Sequence, residues 1–167
     1  MIATEIEFAE VQVPSALALQ VPGRCGPPPA CIGEAIKTAL GKVMTILCQH
    51  SLAPAGAPRV IYNSYGADGV SFTVAMPVSA ASAGPVDDPS CELKTLGGSK
   101  AYRFTHHGPY SNLAQTYGQI TAFMKAQGWM QSEADWAKYM PMWEEYTSDP
   151  QKTPESDLLT YIYLPVA

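Results

Sequence analysis

The sequence predicts an α+β fold in which a duplicated strand–helix–strand–strand (βαββ) repeat forms one antiparallel sheet with two long helices. The first copy runs from Gly26-Pro27 through an amphipathic segment and two β-type runs to Met76-Pro77-Val78. The second copy runs in the same order from Gly108-Pro109 to Leu164-Pro165-Val166. One order of motifs that occurs twice indicates an internal duplication.

A passage rich in Ser, Ala, Gly and Pro separates the two copies at residues 79–90, and this composition is typical of a linker. We therefore predict a single domain over residues 1–167, made of repeat 1 (about 4–78), the linker and repeat 2 (about 91–166). Two such repeats joined edge to edge would leave a crevice where they meet, which is a favoured place for a small ligand.

Repeat 1 opens with alternating apolar and polar residues over 5–13, which predicts a strand with an irregularity near Ala9-Glu10. Residues 17–21 would continue this strand. Three prolines from Pro27 to Pro29 then end regular pairing and lead into a helix. The apolar stripe of that helix recurs at three- and four-residue steps from Ile32 to Leu47.

A hairpin completes repeat 1, because the β-type runs at 60–65 and 70–76 flank turn residues at 66–69. Repeat 2 then begins with a run at 92–96, and a Gly97-Gly98 turn leads into a strand over about 100–106.

The second helix spans about 110–127 and ends at Gly128. A Ser-x-x-Asp pattern predicts a short helical turn at about 132–138. Strands at about 139–147 and 157–164 finish the repeat, with a turn at 148–150 between them.

Composition argues against a nucleic-acid surface. The chain has 167 residues, 47% of them hydrophobic, and a net charge of −5 with only 10 Lys and Arg. Phosphate binding needs clustered basic residues, so we expect no direct nucleic-acid binding. An acidic surface would help to concentrate cationic small molecules, although solubility alone also explains it.

We expect a cytoplasmic protein with no metal site, no cofactor and no membrane association. The acidic start Met1–Glu5 does not resemble a secretion signal, and no stretch approaches the roughly 20 apolar residues of a membrane helix. The cysteines lack Cys-x-x-Cys spacing, which favours reduced thiols over a zinc site. They are Cys25, Cys31, Cys48 and Cys91.

The main functional clue is a pair of adjacent glutamates within Met-Trp-Glu-Glu-Tyr. On a strand, Met142, Glu144 and Tyr146 share one face, while Trp143 and Glu145 share the other. A thioether and a phenol flank Glu144, so it is the better candidate for an enclosed carboxylate. Such a group is unfavourable unless a proton or a cation compensates its charge.

A ligand with a delocalised positive charge would supply that compensation, and aromatic rings would add cation–π attraction. The structural alternative is that Glu144 hydrogen-bonds to a nearby tyrosine or backbone amide without any ligand. Repeat 2 is rich in aromatic residues, and methionines would add a flexible lining.

An ordered set of motifs extends over residues 92–167. It comprises Gly97-Gly98, Tyr102, His107-Gly108-Pro109-Tyr110, Tyr117, Glu144-x-Tyr146, Asp149-Pro150 and Tyr161-Ile162-Tyr163-Leu164-Pro165-Val166. This set resembles the GyrI-like small-molecule-binding domain, which occurs alone and as the effector-binding half of multidrug-responsive transcription regulators. The chain shows no helix-turn-helix segment, so we expect a standalone member.

The resemblance implies an aromatic pocket between the repeats, with Glu144 as the glutamate that meets lipophilic cations. It also assigns Tyr110, Tyr146 and Tyr161 to the pocket. The predicted ligand-binding residues are Glu144, Tyr146, Tyr110, Tyr117, Met142, Trp143 and Tyr161.

The favoured function is a binding protein for hydrophobic, often cationic or aromatic, small molecules. Some family members resemble hydrolases that open strained electrophilic rings of the cyclopropanoid type. The alternative is therefore a hydrolase in which Glu144 is the general base and a nearby tyrosine donates a proton, with Tyr110, Tyr117 and Tyr146 as the candidates and Tyr110 as the predicted catalytic residue. Inhibition of a DNA-handling enzyme through protein contact, and assembly into a homodimer, also stay open.

Overall fold

The computed structural model describes residues 6–26, 32–79, 88–148 and 152–166. The chain divides into two compact units. Unit 1 comprises Met1–Gln12 and Lys100–Ala167, and unit 2 comprises Val13–Ser99. In the described residues each unit has one long helix and an antiparallel sheet. This confirms the predicted α+β class and its repeated unit.

The strands and long helices are, in chain order, β1 (Glu7–Gln12), β2 (Ala16–Cys25), α1 (Ile32–Gln49), β3 (Arg59–Gly66), β4 (Gly69–Pro77), β5 (Glu92–Leu96), β6 (Lys100–His107), α2 (Leu113–Ala126), β7 (Met142–Tyr146) and β8 (Leu159–Pro165). Short 3-10 helices lie at Tyr110–Asn112, Glu133–Tyr139 and Glu155–Asp157. The predicted helical turn at 132–138 is therefore confirmed.

Unit 2 arranges its strands in the order β3-β4-β2-β5, and every pair is antiparallel. Helix α1 packs on β2 and β4. Its buried stripe consists of Ala39, Val43, Ile46 and Leu47. The three- and four-residue spacing of these positions is the reason that one helix face meets the sheet.

Gly23 on β2 allows a large ring to enter the core of unit 2. Gly23 lies opposite Phe72 on β4, and Phe72 lies opposite Tyr62 on β3. A Cβ atom at Gly23 would come within 2.5 Å of the Phe72 ring. Phe72 is 1% exposed, so its ring already packs against neighbouring residues.

Unit 1 arranges its strands in the order β1-β6-β8-β7, again with antiparallel pairing. Helix α2 contacts β6 and buries Thr116, Ile120 and Met124. The rings of Phe8, Tyr102, Phe104, Phe123 and Trp129 form a connected aromatic cluster. Phe104 is its fully buried member, and the ring contacts join β1, β6 and α2.

The prediction of one continuous opening strand is wrong. Strand β1 pairs with β6, whereas β2 pairs with β4 and β5. The register of β1 is regular through Ala9-Glu10, and the break comes at residues 13–15. Pro14 lies in this break, and its lack of an N–H prevents it from donating to a partner strand.

The predicted turn at Gly97-Gly98 does not close a hairpin, since β5 pairs with β2 while β6 pairs with β1 and β8. Both glycines adopt positive φ angles, +86° and +87°. The Gly98 N–H donates to the carbonyl of Val13 at 2.8 Å, and the Val13 N–H donates to the carbonyl of Ser99 at 2.9 Å. The compact units therefore divide the chain differently from the predicted repeats.

Strand β7 is shorter than predicted. Tyr139 belongs to the preceding 3-10 helix, and Pro141 cannot donate to a ladder, so pairing begins after it. Residues 80–87 of the predicted linker and Asp149-Pro150 of the predicted turn lie outside the described residues. Across the described chain, no helix combines the length and apolar character needed to cross a membrane.

We predict that Gly23→Ala lowers the free energy of unfolding by about 1–3 kcal/mol, because the added methyl group overpacks the Phe72 site. Urea denaturation measures the effect. Gly41→Ala on α1 is the matched control, since a Cβ atom there meets nothing within 4 Å. The control should gain about 0.5–1 kcal/mol from its better helix propensity. Equal effects of the two substitutions would contradict the packing argument.

Candidate functional site

Glu144 is buried in the apolar face of unit 1. The residue is 3% exposed. On β7 it lies opposite Ile162 of β8, and Ile162 lies opposite Phe104 of β6. Both of these neighbours are fully buried. The alternation of β7 therefore places one carboxylate in a row of hydrophobic residues, as the sequence predicts.

Two tyrosine hydroxyls donate to this carboxylate. Tyr146, two residues along the same strand, donates to Oε1 of Glu144 at 2.6 Å. Tyr117 on α2 donates to Oε2 in a short hydrogen bond. Each carboxylate oxygen thus receives one phenol. The sequence analysis left open a structural role in which Glu144 hydrogen-bonds to a nearby tyrosine, and such bonds are present. They bring together three of the predicted site residues.

A second layer of rings surrounds the two phenols. Tyr110 packs edge-on against Tyr146, with ring centres 5.5 Å apart. Trp136 packs edge-on against Tyr117 at 6.0 Å. Edge-to-face contacts at these distances are favourable pairings of aromatic rings. We call Glu144, Tyr117, Tyr146, Tyr110 and Trp136 the Glu144 cluster.

The 3-10 helix Glu133–Tyr139 holds Trp136 in place. Ser132 and Asp135 form a reciprocal capping box at its start. A hydrogen bond from the backbone N–H of Gln131 is the main cause that lowers the pKa of Asp135, with Lys138 and the Ser132 N–H adding to the effect. The segment is therefore fixed by bonds that do not involve the tryptophan itself.

His106 fixes the turn that carries Tyr110. The imidazole is 3% exposed, and its Nε2 donates to the carbonyl of Pro109 at 3.0 Å. Its Nδ1 lies 2.5 Å from the hydroxyl of Thr116 on α2. These bonds tie β6, the turn and the helix together. The neighbouring His107 is exposed, and its Nε2 lies 3.2 Å from the Glu7 carboxylate. His106 is thus buried in the fold, whereas His107 lies at the surface.

Trp143 and Tyr161 do not join the Glu144 cluster, because they lie on the opposite face of the sheet. The ring of Trp143 stacks on Tyr163 at 5.0 Å. The hydroxyl of Tyr163 lies 3.5 Å from Glu145, and the guanidinium of Arg103 covers the Tyr161 ring at 4.6 Å. The remaining predicted site residue, Met142, is buried on the face that Glu144 uses.

Two cavities lie in unit 2, and Glu144 is not among the residues that line them. One, of about 600 Å³, is lined by residues 22–26 of β2 and its extension together with residues of α1. The other, of about 460 Å³, lies beside Gly23 and Phe72. The predicted hollow beside Glu144 is not one of these cavities. Among the described residues no group of His, Cys, Asp and Glu is arranged to hold a metal ion.

The duplicated unit provides an internal comparison for Glu144. In unit 2, Val60 on β3 lies opposite Val74 on β4, as Glu144 on β7 lies opposite Ile162 on β8. Val60 is 1% exposed. A valine therefore fills the corresponding buried position in a unit of the same construction. The fold does not require a carboxylate there.

Sequence reasoning did not single out Trp136 or the pair His106 and Thr116. The capping pattern Ser132-x-x-Asp135 was a usable signal for Trp136, because it fixes the helical turn on which the tryptophan lies. The bond between His106 and Thr116 joins a strand to a helix, and no local pattern indicates it.

The family model of the GyrI-like small molecule binding domain matches residues 60–167, which is more than half of the chain. No curated protein matches the sequence. Solved structures of low identity share the fold. EcmrR in a DNA complex has a TM-score of 0.76 at 13% identity, over 98% of this chain and 58% of that chain. The present chain thus spans less than two thirds of that protein.

The C-terminal domain of EcmrR is matched almost throughout, with a TM-score of 0.74 at 14% identity over 97% of this chain and 98% of that chain. A hydrolase from Listeria innocua has a TM-score of 0.64 at 18% identity, over 99% of this chain and 94% of that chain. SAV2435, solved with bound tetraphenylphosphonium, has a TM-score of 0.55 at 12% identity, over 98% and 94% respectively.

We predict that Tyr117→Phe lowers the free energy of unfolding by about 1–3 kcal/mol, because a buried carboxylate oxygen loses a hydrogen-bond donor. Chemical denaturation measures the loss. Tyr161→Phe on the opposite sheet face is the control and should change stability by less than about 0.5 kcal/mol. A Tyr117→Phe variant as stable as the control would show that the bond to Glu144 contributes nothing.

Proposed function

Because the chain belongs to the family of GyrI-like small-molecule-binding domains, we propose that its Glu144 cluster binds hydrophobic, cationic organic compounds. The observation that carries the proposal is the carboxylate of Glu144, which is 3% exposed and lies among aromatic rings. A carboxylate in such surroundings is best compensated by a positive charge, and the tyrosine and tryptophan faces favour a cation that is also apolar.

The comparison between the units supports a functional role for this carboxylate. A buried charge is unfavourable unless its surroundings compensate it, and valine fills the matching position in unit 2. If this position served packing alone, an apolar residue such as valine would be sufficient. The carboxylate is therefore a feature of one repeat and not of the fold, which is expected of a ligand-binding group.

The hydrogen bonds of the phenols are compatible with a bound cation. An ionised carboxylate can accept about four hydrogen bonds, and Tyr117 and Tyr146 supply one to each oxygen. Each of these two bonds occupies one acceptor position of the oxygen that receives it. The two hydroxyls also hold the carboxylate in one orientation, which lowers the entropy lost when a ligand binds.

Hydrolysis of strained electrophilic rings is the second candidate, and the adjacency of a glutamate and tyrosines favours it. In that reaction Glu144 would take a proton from water, the resulting hydroxide would attack a ring carbon, and a phenol would protonate the leaving atom. Tyr117 and Tyr146 donate to the carboxylate, and Tyr110, whose ring packs against Tyr146, is the proton donor that we propose for this reaction. We favour binding, since two of the three phenols hold the carboxylate.

A likeness in fold to EcmrR, to the Listeria innocua hydrolase and to SAV2435 is compatible with both candidates. The tetraphenylphosphonium bound to SAV2435 is a lipophilic cation, and this chemistry agrees with the binding proposal. The cytoplasmic location, the homodimer and the absence of direct nucleic-acid binding stay predictions.

Glu144→Gln should weaken the binding of a rhodamine dye and of tetraphenylphosphonium by at least about tenfold, or about 1.4 kcal/mol, because the compensating charge is lost. Fluorescence titration and calorimetry measure the two affinities. Glu145→Gln is the matched control, since this neighbouring glutamate lies on the other face of β7. It should leave both affinities unchanged.

Equal affinities for wild type and Glu144→Gln would remove Glu144 from the binding site. Incubation with a cyclopropane-containing electrophile distinguishes the hydrolase from the binding protein. Mass spectrometry then detects the product of water addition. A binding protein returns the compound unchanged. Turnover that is lost in Tyr110→Phe but kept in Tyr161→Phe would replace binding with hydrolysis as the function.

A further inference from the structure

Thr160 places an unmatched hydroxyl in the interior of unit 1. The residue is fully buried at 0% exposure. In the part of the chain that the structure describes, its Oγ1 has no hydrogen-bond partner. A buried polar group in this condition is unfavourable and is uncommon in folded proteins.

The hydroxyl belongs to the sheet face that carries Glu144. Thr160 on β8 lies between His106 on β6 and Tyr146 on β7. Glu144 is the diagonal neighbour of Thr160, and such neighbours on antiparallel strands are about 7–8 Å apart between Cα atoms. The two side chains therefore lie close together on one face of the sheet.

The polar neighbours of Thr160 already have other partners. The two nitrogens of His106 interact with Pro109 and Thr116. The Tyr146 hydroxyl donates to Glu144. Within this row of the sheet, the Thr160 hydroxyl is thus the polar group left without a match among the described residues.

Unit 2 shows that the fold does not need a hydroxyl at this position. Phe72 on β4 lies opposite Tyr62, as Thr160 on β8 lies opposite Tyr146. Phe72 fills its buried site with an apolar ring that needs no hydrogen-bond partner. Thr160 therefore differs from its counterpart in the same way as Glu144 differs from Val60: an apolar residue in one unit corresponds to a polar one in the other.

We propose that Thr160 contacts the ligand and makes the Glu144 site selective for primary and secondary ammonium compounds over quaternary cations. This inference rests on the proposed function. One N–H of the ammonium group donates to the Glu144 carboxylate, and a second donates to Oγ1 of Thr160. A quaternary cation has no N–H, so it satisfies the charge of Glu144 but leaves Thr160 unmatched.

The test uses one aromatic scaffold in two forms, naphthylmethylammonium and its N,N,N-trimethyl derivative. Calorimetry measures both affinities for wild type, Thr160→Val, Thr160→Ser and Thr105→Val. Wild type should bind the primary ammonium about tenfold more tightly, as one hydrogen bond to a charged group predicts. Thr160→Val should lose this preference by weakening the primary ammonium alone.

The two control variants sharpen the result. Thr160→Ser keeps a hydroxyl and should keep the preference. Thr105→Val makes the same substitution on β6, opposite Tyr161 and thus on the other sheet face, and should change neither affinity. Thr160→Val should also melt at the same or a higher temperature than wild type, because it removes an unmatched buried hydroxyl.

Three outcomes overturn the inference. Equal binding of the two ligands by wild type removes the selectivity, although Glu144 keeps its role if Glu144→Gln weakens both. A lower melting temperature for Thr160→Val shows that the hydroxyl has a structural partner. If neither ligand binds, or Glu144→Gln has no effect on either affinity, the proposed function fails together with the inference.

Discussion

The carboxylate of Glu144, held by two phenols inside unit 1, is the constraint on which the arrangement of the site depends. Tyr146 comes from the same strand and Tyr117 from α2, so the two bonds join a strand to the helix that covers it. Binding at both oxygens also fixes the rotation of the carboxylate. The positions of Tyr110 and Trp136 follow, because each packs against one of these two phenols. The side chains of the site thus lose their conformational freedom during folding and not when a ligand binds.

The duplication separates what the fold requires from what the site requires. Both units keep a buried strand row beneath their helix, yet Val60 and Phe72 in unit 2 correspond to Glu144 and Thr160 in unit 1. Unit 2 even uses Gly23 to admit the Phe72 ring. Apolar packing is therefore a sufficient solution for this architecture. The polar residues of unit 1 are therefore not required by packing, and this difference is the physical basis of the ligand contacts that we propose for them.

Local patterns predicted the class of the fold and the enclosed position of Glu144, because alternation along one strand decides which side chains share a face. The same alternation already placed Trp143 on the other face. The position of Tyr161 depends on its register with Glu145, which is a contact between strands and not a local property. The bond between Tyr117 and Glu144, and the choice of β2 as the partner of β5, likewise depend on contacts between distant segments. A Gly-Gly pair indicates a turn but not which strand the chain joins afterwards.

Access to the carboxylate is the remaining physical question for a binding role, since Glu144 is 3% exposed. Trp136 lies on a 3-10 helix with a capping box, so movement of that wall would break several bonds. Tyr110 differs, because its side chain is 36% exposed while the carbonyl of the preceding Pro109 is held by His106. Rotation of the Tyr110 side chain away from Tyr146 would break their edge-on ring contact. The exposed Tyr110 ring is thus a part of the Glu144 cluster that solvent already reaches, whereas the capped 3-10 helix fixes the wall at Trp136.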